Sequence, residues 1–185
     1  MSETYDVVVI GGGSGGSVVA GRLSEDADCT VCVLEAGGGG DHPIVNVPIG
    51  TVVMMPSRIC NWAFETVPQA GLDGRRGYQP RGRALGGSSA INAMVYVRGH
   101  RRDYEHWAAL GNRGWSFAEV LPYFIRSEHN ERLGGPWHGC EGPLAVSDSR
   151  SDNPIHARYL DAARHLGLPL SDDFNGAEQE GVGIY

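Results

Sequence analysis

Two glycine-rich blocks, one carboxylate and a few hydroxyls carry the chemistry legible in this chain. The first block reads Gly11-Gly12-Gly13-Ser14-Gly15-Gly16, and the second runs from Gly74 to Gly99 around Gly86-Gly87-Ser88-Ser89. Glycines at 11, 13 and 16 form Gly-x-Gly-x-x-Gly. Gly11 permits a tight turn, Gly13 lets the backbone approach a pyrophosphate without a Cβ in the way, and Gly16 lets helix and strand pack closely. The N-terminus of the helix that the motif opens offers unpaired N–H groups to phosphate oxygens. Glu35 lies 19 positions past Gly16, where a carboxylate can accept hydrogen bonds from ribose hydroxyls. Alone the motif is weak, because glycine clusters arise in ordinary turns. A strand before it, a helix after it and an acid at that distance favour a dinucleotide ligand. In the second block, bare backbone and the Ser88 and Ser89 hydroxyls suit phosphate or carbonyl oxygens, and Asn92 adds an amide. On its residues alone this block reads equally well as a hydrated loop.

Other chemistries find less support. Cys29-x-x-Cys32 matches a redox or zinc half-motif, but it falls beside a strand and no second cysteine pair completes a metal site. The four cysteines do not form a disulfide framework. His138-Gly-Cys140 reads as loop, and His129, His138, His156 and His165 read as solvated positions. A net charge of −7 with no basic cluster interleaved with aromatics argues against nucleic acid as a partner. No apolar run approaches ~18 residues, so no transmembrane segment is expected. The polar start Met-Ser-Glu-Thr-Tyr-Asp leaves no room for a signal peptide, and the expectation is a cytoplasmic enzyme domain.

The elements that must position these groups follow from pattern. Val7 to Ile10 is a β-branched run suited to a strand buried on both faces of a parallel sheet. Val18, Val19 and Leu23 mark a short helix, and Thr30 to Leu34 a second strand. Residues 41 to 70 carry four prolines and no clear period, an irregular excursion in which Asn61 to Glu65 reads as a short strand. Trp62 within it reads as core filling, although an adenine ring would suit it. A helix is expected from Arg102 to Leu110 with its stop at Gly111. Ser116-x-x-Glu119 is a capping box opening the next helix. Gly142 to Ser147 reads as a strand, and Asn153-Pro154 starts a helix that stops at Gly167. A doubly wound sheet needs more parallel strands than the two found before residue 41, so a longer protein is expected.

Gly82-Arg83-x-Leu85-Gly86-Gly87-Ser88-Ser89-x-Ile91-Asn92, continued by Tyr96, Gly99 and Glu105, resembles the first signature of the glucose–methanol–choline (GMC) oxidoreductases. The N-terminal unit with Glu35-Ala36-Gly37, Asn61-Trp62 and Asp173-Phe174-Asn175-Gly176 are similar to that family too, in the order of its choline dehydrogenase-like members. The resemblance implies an α/β fold: a Rossmann-like FAD-binding domain of GMC type over residues 1–145, incomplete, then the start of an α+β substrate-binding domain over 146–185. FAD is the implied dinucleotide. Ser14 and Gly15 would meet its pyrophosphate and Glu35 its ribose. Ser88, Asn92, Ala93 and Val95 would lie along the flavin and ribityl chain. Ala36, Trp62, Arg83, Gly87 and Met94 complete the implied cofactor site. Some relatives attach FAD through a histidine just before the Asn. Ile91 stands there in this chain, so FAD is expected to be non-covalent.

The implied reaction is oxidation of an alcohol, with hydride transfer to flavin N5 and oxygen or a quinone as electron acceptor. No histidine of the chain matches the family's catalytic base, which is expected beyond Tyr185. Residues 1–185 alone are therefore expected to be inactive. Two alternatives share the fold: an FAD-containing hydroxynitrile lyase and a catalytically inert FAD-binding fragment. A nicotinamide-dependent dehydrogenase would explain the first glycine block but not the second.

Overall fold

The computed structural model describes residues 4–185; Met1 to Glu3, the first part of the polar start, lie outside the described residues. The chain divides into two compact units, Met1–Met94 and Val95–Tyr185.

In the first unit β1 (Val7–Ile10) leads into α1 (Ser14–Leu23), which returns to β2 (Val31–Leu34). The two strands pair in parallel with Val7 opposite Val31 and Ile10 opposite Leu34. Both are rich in β-branched residues, which fit a pleated surface. Their entrances are pinned by Asp6, whose carboxylate accepts from the Thr30 amide at 2.8 Å and the Thr30 hydroxyl at 2.5 Å. The hydroxyl bond, then the amide bond, hold the Asp6 carboxyl below its ordinary value.

The expected burial of β1 on both faces is corrected. Val8 is 50% exposed and Ile10 is 86% exposed, and no residue of α1 is buried. The physical reason is the number of partners. Among the described residues β1 has β2 as its neighbour in a two-stranded sheet, so one edge and part of each face carry no apolar cover.

The excursion after β2 is less irregular than its sequence suggests. It holds α2 (Gly50–Met54) and β3 (Phe64–Glu65), and β3 pairs antiparallel with β4 (Tyr78–Gln79), which lies just beyond it. The strand expected over 61–65 is shortened to 64–65. Asn61 explains the difference: it is buried, and its side chain makes bonds that a ladder would otherwise make. Its amide lies 2.9 Å from the Ser57 carbonyl, and its oxygen accepts from the Ala63 and Arg81 amides at 3.0 and 2.9 Å. Among the described residues, Met54, Ala84 and Ile91 are the buried apolar residues of this unit.

The second unit contains α3 (Arg101–Ala109), α4 (Phe117–Ser127), β5 (Glu128–Asn130), β6 (Leu144–Val146) and α5 (Pro154–His165). The helices and β6 follow the expected elements within about two residues, whereas β5, which pairs in parallel with β6, was not expected. The capping box is present, with Glu119 accepting from the Ser116 amide at 3.1 Å. Asn153 caps α5 by accepting from the Ile155 amide at 3.0 Å, with Pro154 in the first turn. Tyr104 and Phe117 are the buried aromatics, and Tyr104 meets Phe124 edge-on at 5.9 Å. Compactness divides the chain at 94/95, whereas the expected functional division lies at 145/146. The difference arises because Arg98, Glu128, His138 and Asn175 share one buried hydrogen-bond network, which draws residues 95–145 together with the C-terminal stretch. No helix among the described residues is long and apolar enough to cross a membrane.

Candidate functional site

A cleft of about 520 Å³ opens in the first unit at the carboxyl ends of β1 and β2. Its floor is the turn after β1. Gly11 adopts φ +93, a left-handed conformation natural to glycine. A Cβ on Gly16 would overlap the carbonyl oxygen of Gly11, so helix and strand need glycine there. Gly13 and Gly15 differ. A Cβ on Gly15 would meet nothing within 4 Å, and one on Gly13 only the Gly87 Cα at 3.8 Å, an ordinary contact. The fold therefore does not itself require glycine at either position. Both leave bare backbone facing the cleft, at the start of a helix whose first turn has no side-chain cap. Such a floor admits a pyrophosphate.

The wall is Glu35. Its Oε2 accepts from the Gly12 amide and its Oε1 from the Gly37 amide, each at 2.8 Å. Both oxygens are oriented by backbone and keep lone pairs for a diol.

The second glycine block lies directly on the first. The Gly86 amide donates to the Gly12 carbonyl at 2.7 Å, and Leu85 N donates to the Gly38 carbonyl at 2.9 Å. A Cβ on Gly87 would come within 2.7 Å of the Gly13 Cα, and one on Gly82 would overlap the Gly87 carbonyl. Backbone meets backbone with no room for side chains. Ser14 and Ser89 join the blocks through a 2.8 Å contact between their hydroxyls, and Ser88 accepts from the Gly82 amide at 3.2 Å.

The structure brings Gly11, Gly13, Ser14 and Gly15 to the cleft, with Glu35 and Ala36. Trp62, Gly87 and Ser88 also line it. Trp62 is thus not core filling: it is 37% exposed, stacked on Phe64 with ring centres 5.6 Å apart. Arg83 stands behind this wall, with its guanidinium 4.7 Å from the Trp62 ring centre and its Nε donating to the Ala36 carbonyl at 3.3 Å. Gly16 serves packing and does not line the cleft. Asn92 accepts from the Met94 amide at 2.7 Å through its side chain, and its carbonyl accepts from the Thr51 hydroxyl at 2.9 Å. Asn92, Ala93 and Met94 lie outside the cleft lining, and Val95 belongs to the second unit. Ile10, Leu34 and Gly82 line the cleft without having been expected. The first two are the last residues of parallel strands, where ligands of open α/β sheets bind, and that rule would have found them.

The second unit holds what sequence reading missed. Arg98, Glu128 and His138 are all buried. Arg98 Nη2 donates to Glu128 Oε2 at 2.7 Å, and Glu128 Oε1 lies 2.9 Å from His138 Nδ1. His138 Nε2 lies 2.9 Å from Asp173 Oδ2. His138 is therefore not solvated, and both its ring nitrogens face carboxylate oxygens. Burial works to raise the Glu128 carboxyl, but hydrogen bonds from His138, Asn130 and the Gly139 amide outweigh it and hold the group below its ordinary value. His129 and His165 are exposed as expected, with His165 Nδ1 2.7 Å from the Asp161 carbonyl, and His100 Nδ1 accepts from the Arg102 amide at 3.1 Å.

Residues 5–185 match the GMC oxidoreductase family model. The chain is 44% identical over 182 residues to an alcohol dehydrogenase [acceptor] of Pseudomonas putida, covering 98% of this chain and 33% of that protein. It is 44% identical over 179 residues to an oxygen-dependent choline dehydrogenase of Rhizobium etli, covering 97% and 33%. The chain thus spans about a third of the length of these relatives. Among solved structures it is similar to pyridoxine 4-oxidase from Mesorbium loti, at 35% identity and a TM-score of 0.86 over 98% of this chain and 37% of that one. It is also similar to an FAD-dependent oxidoreductase from Chaetomium thermophilum, at 34% identity and a TM-score of 0.80 over 96% and 32%.

Proposed function

The chain belongs to the GMC oxidoreductase family and carries its FAD-binding N-terminal domain, and from that membership we propose that it serves the oxidation of an alcohol to an aldehyde or ketone, in the manner of a choline dehydrogenase. The observation that carries this reading is the cleft floor. Glycines at 13 and 15 have space for a side chain yet leave bare backbone at an uncapped helix N-terminus, beside a carboxylate held by two amides. Bound FAD supplies the hydride acceptor.

The chain's own residues bind and orient. Ser14, Gly15 and the first-turn amides take the pyrophosphate, Glu35 the ribose hydroxyls, and Trp62 with Ala36 flank the adenine side. Gly87 and Ser88 present backbone and a hydroxyl from the second block, and Asn92, Ala93, Met94 and Val95 run towards the flavin. Ile91 favours non-covalent attachment, because it is buried, apolar and without a nucleophile. Residues 1–145 are assigned to the cofactor and 146–185 to the substrate side. No histidine within residues 4–185 is assigned as the base. The substrate is a small alcohol, choline being one candidate, and the electron acceptor is oxygen or a quinone.

The test is the visible spectrum of the purified full-length protein, with and without an alcohol under anaerobic conditions, then after acid precipitation. Flavin bands that bleach with an alcohol, and a chromophore that stays in the acid supernatant, are expected. A well-folded full-length protein that is colourless and takes up no added FAD overturns the reading.

A further inference from the structure

Ser14 stands at the first position of α1 and lines the cleft. Its hydroxyl lies 2.8 Å from that of Ser89, and the Ser89 hydroxyl donates to the Gly86 carbonyl at 2.6 Å. A serine hydroxyl carries one proton and two lone pairs. With the Ser89 proton on Gly86, the proton between the two serines belongs to Ser14. Ser14 then shows the cleft lone pairs only, which repel an anion. Ser88 is arranged differently: it accepts from the Gly82 amide at 3.2 Å and its own proton is free.

We propose that Ser89 is a positioning residue that sets which way the Ser14 hydroxyl points, so that the Ser14–Ser89 pair reverses its hydrogen bonds when a phosphate group enters the cleft. This rests on the FAD reading above. In the reversed arrangement Ser89 donates to Ser14 and Ser14 donates into the cleft. Accepting from Ser89 makes Ser14 a stronger donor, because chained hydroxyls polarise one another. The reversal leaves no acceptor orphaned, since the Gly86 carbonyl keeps the Ser89 amide at 3.1 Å. Ser89 reaches the ligand through Ser14 and does not itself line the cleft.

The experiment measures FAD affinity by flavin fluorescence quenching on the full-length apoprotein, for wild type, S14A, S89A, S14A/S89A and S89T, together with the apo melting temperature of each. Loss of a hydrogen bond to a charged group predicts about tenfold weaker binding for S14A. S89A leaves Ser14 able to donate but neither oriented nor polarised, so a smaller loss of about threefold is expected. The double variant is expected to be no weaker than S14A, and S89T, which keeps the hydroxyl, to bind like wild type. Losses that multiply in the double variant, or an S89A affinity equal to wild type, overturn the relay while leaving the FAD reading intact. A drop in apo melting temperature in S89A that S89T does not restore, with multiplied losses, assigns Ser89 a structural role and also overturns it. Wild-type protein that binds no FAD removes the FAD reading, and the relay with it.

Discussion

The two compact units hold themselves together by opposite means. In the first, glycine backbones lie on glycine backbones, and the side chains of its parallel strands stay largely open, with Ile10 86% exposed. In the second, a largely buried network of polar and charged side chains, Arg98–Glu128–His138–Asp173, links segments more than seventy residues apart. A backbone contact tolerates no added atom but needs no particular charge state. A buried charge network accepts small changes of shape but none of charge. The two units should therefore fail under different substitutions and different solvent conditions.

The largest effects are expected from methyl groups. G16A drives a Cβ into the Gly11 carbonyl, which overpacks the turn between β1 and α1. A loss of about 3 kcal/mol or more is expected, with FAD binding lost as well. G15A meets nothing within 4 Å. It should melt like wild type and lose FAD affinity alone, because the added methyl stands where the backbone approaches the phosphates. Denaturant titration and flavin fluorescence separate the two variants. Equal melting of G15A and G16A would break the distinction between glycines required by the fold and glycines left bare for a ligand.

The first unit was legible because its chemistry is written in consecutive residues. Gly11 to Gly16, the strand before them and Glu35 after them share one βαβ unit, so spacing in sequence is spacing in space. The capping box at Ser116 and the Pro154 start were legible for the same local reason. The strand expected from Asn61 and the core-filling reading of Trp62 failed, because the loop that holds them closes through Asn61 side-chain bonds that have no periodic signature, whereas Trp62 as a lining residue came from the resemblance. The charge network was invisible. Arg98, Glu128 and His138 sit in an irregular stretch before α3, at the end of α4 and in a loop, and only the fold brings them together. The burial expected for β1 failed because hydrophobic pattern reports what a strand is built to bury, not how many partners a given stretch of chain supplies.

The next effect belongs to the network. E128Q keeps the size of the side chain but removes the charge that faces Arg98 and His138, and unpairing a buried ion pair costs about 3–5 kcal/mol. Its pH dependence has a definite sign. The Glu128 carboxyl lies below its ordinary value of 4.5 when folded. Its contribution is thus fully present above that value and is lost as pH falls through the lower folded value. Urea midpoints followed from pH 7 downwards should decline more steeply below about pH 4.5 in wild type than in E128Q. Parallel acid limbs would sink the claim that this carboxylate holds the second unit.

The smallest effect sharpens the same contrast from the alkaline side. Tyr96 has a buried hydroxyl that makes no hydrogen bond of normal geometry, although the Arg98 and Ser127 side chains lie beside it. Burial, and then the Glu128 charge, push its phenol above the ordinary value of 10.0. A raised folded value means that the contribution is intact below pH 10.0 and is lost as pH rises through the folded value. Y96F removes both the unpaired hydroxyl and the titration. At neutral pH the variant is expected to equal wild type or exceed it by up to about 1 kcal/mol, since an unsatisfied buried hydroxyl is a cost and the ring is kept. Above pH 10 its stability should fall less steeply than that of wild type. A Y96F variant destabilised at neutral pH by more than about 1 kcal/mol would mean that the hydroxyl is bonded within the network, and that the charge chain extends one residue further than Arg98.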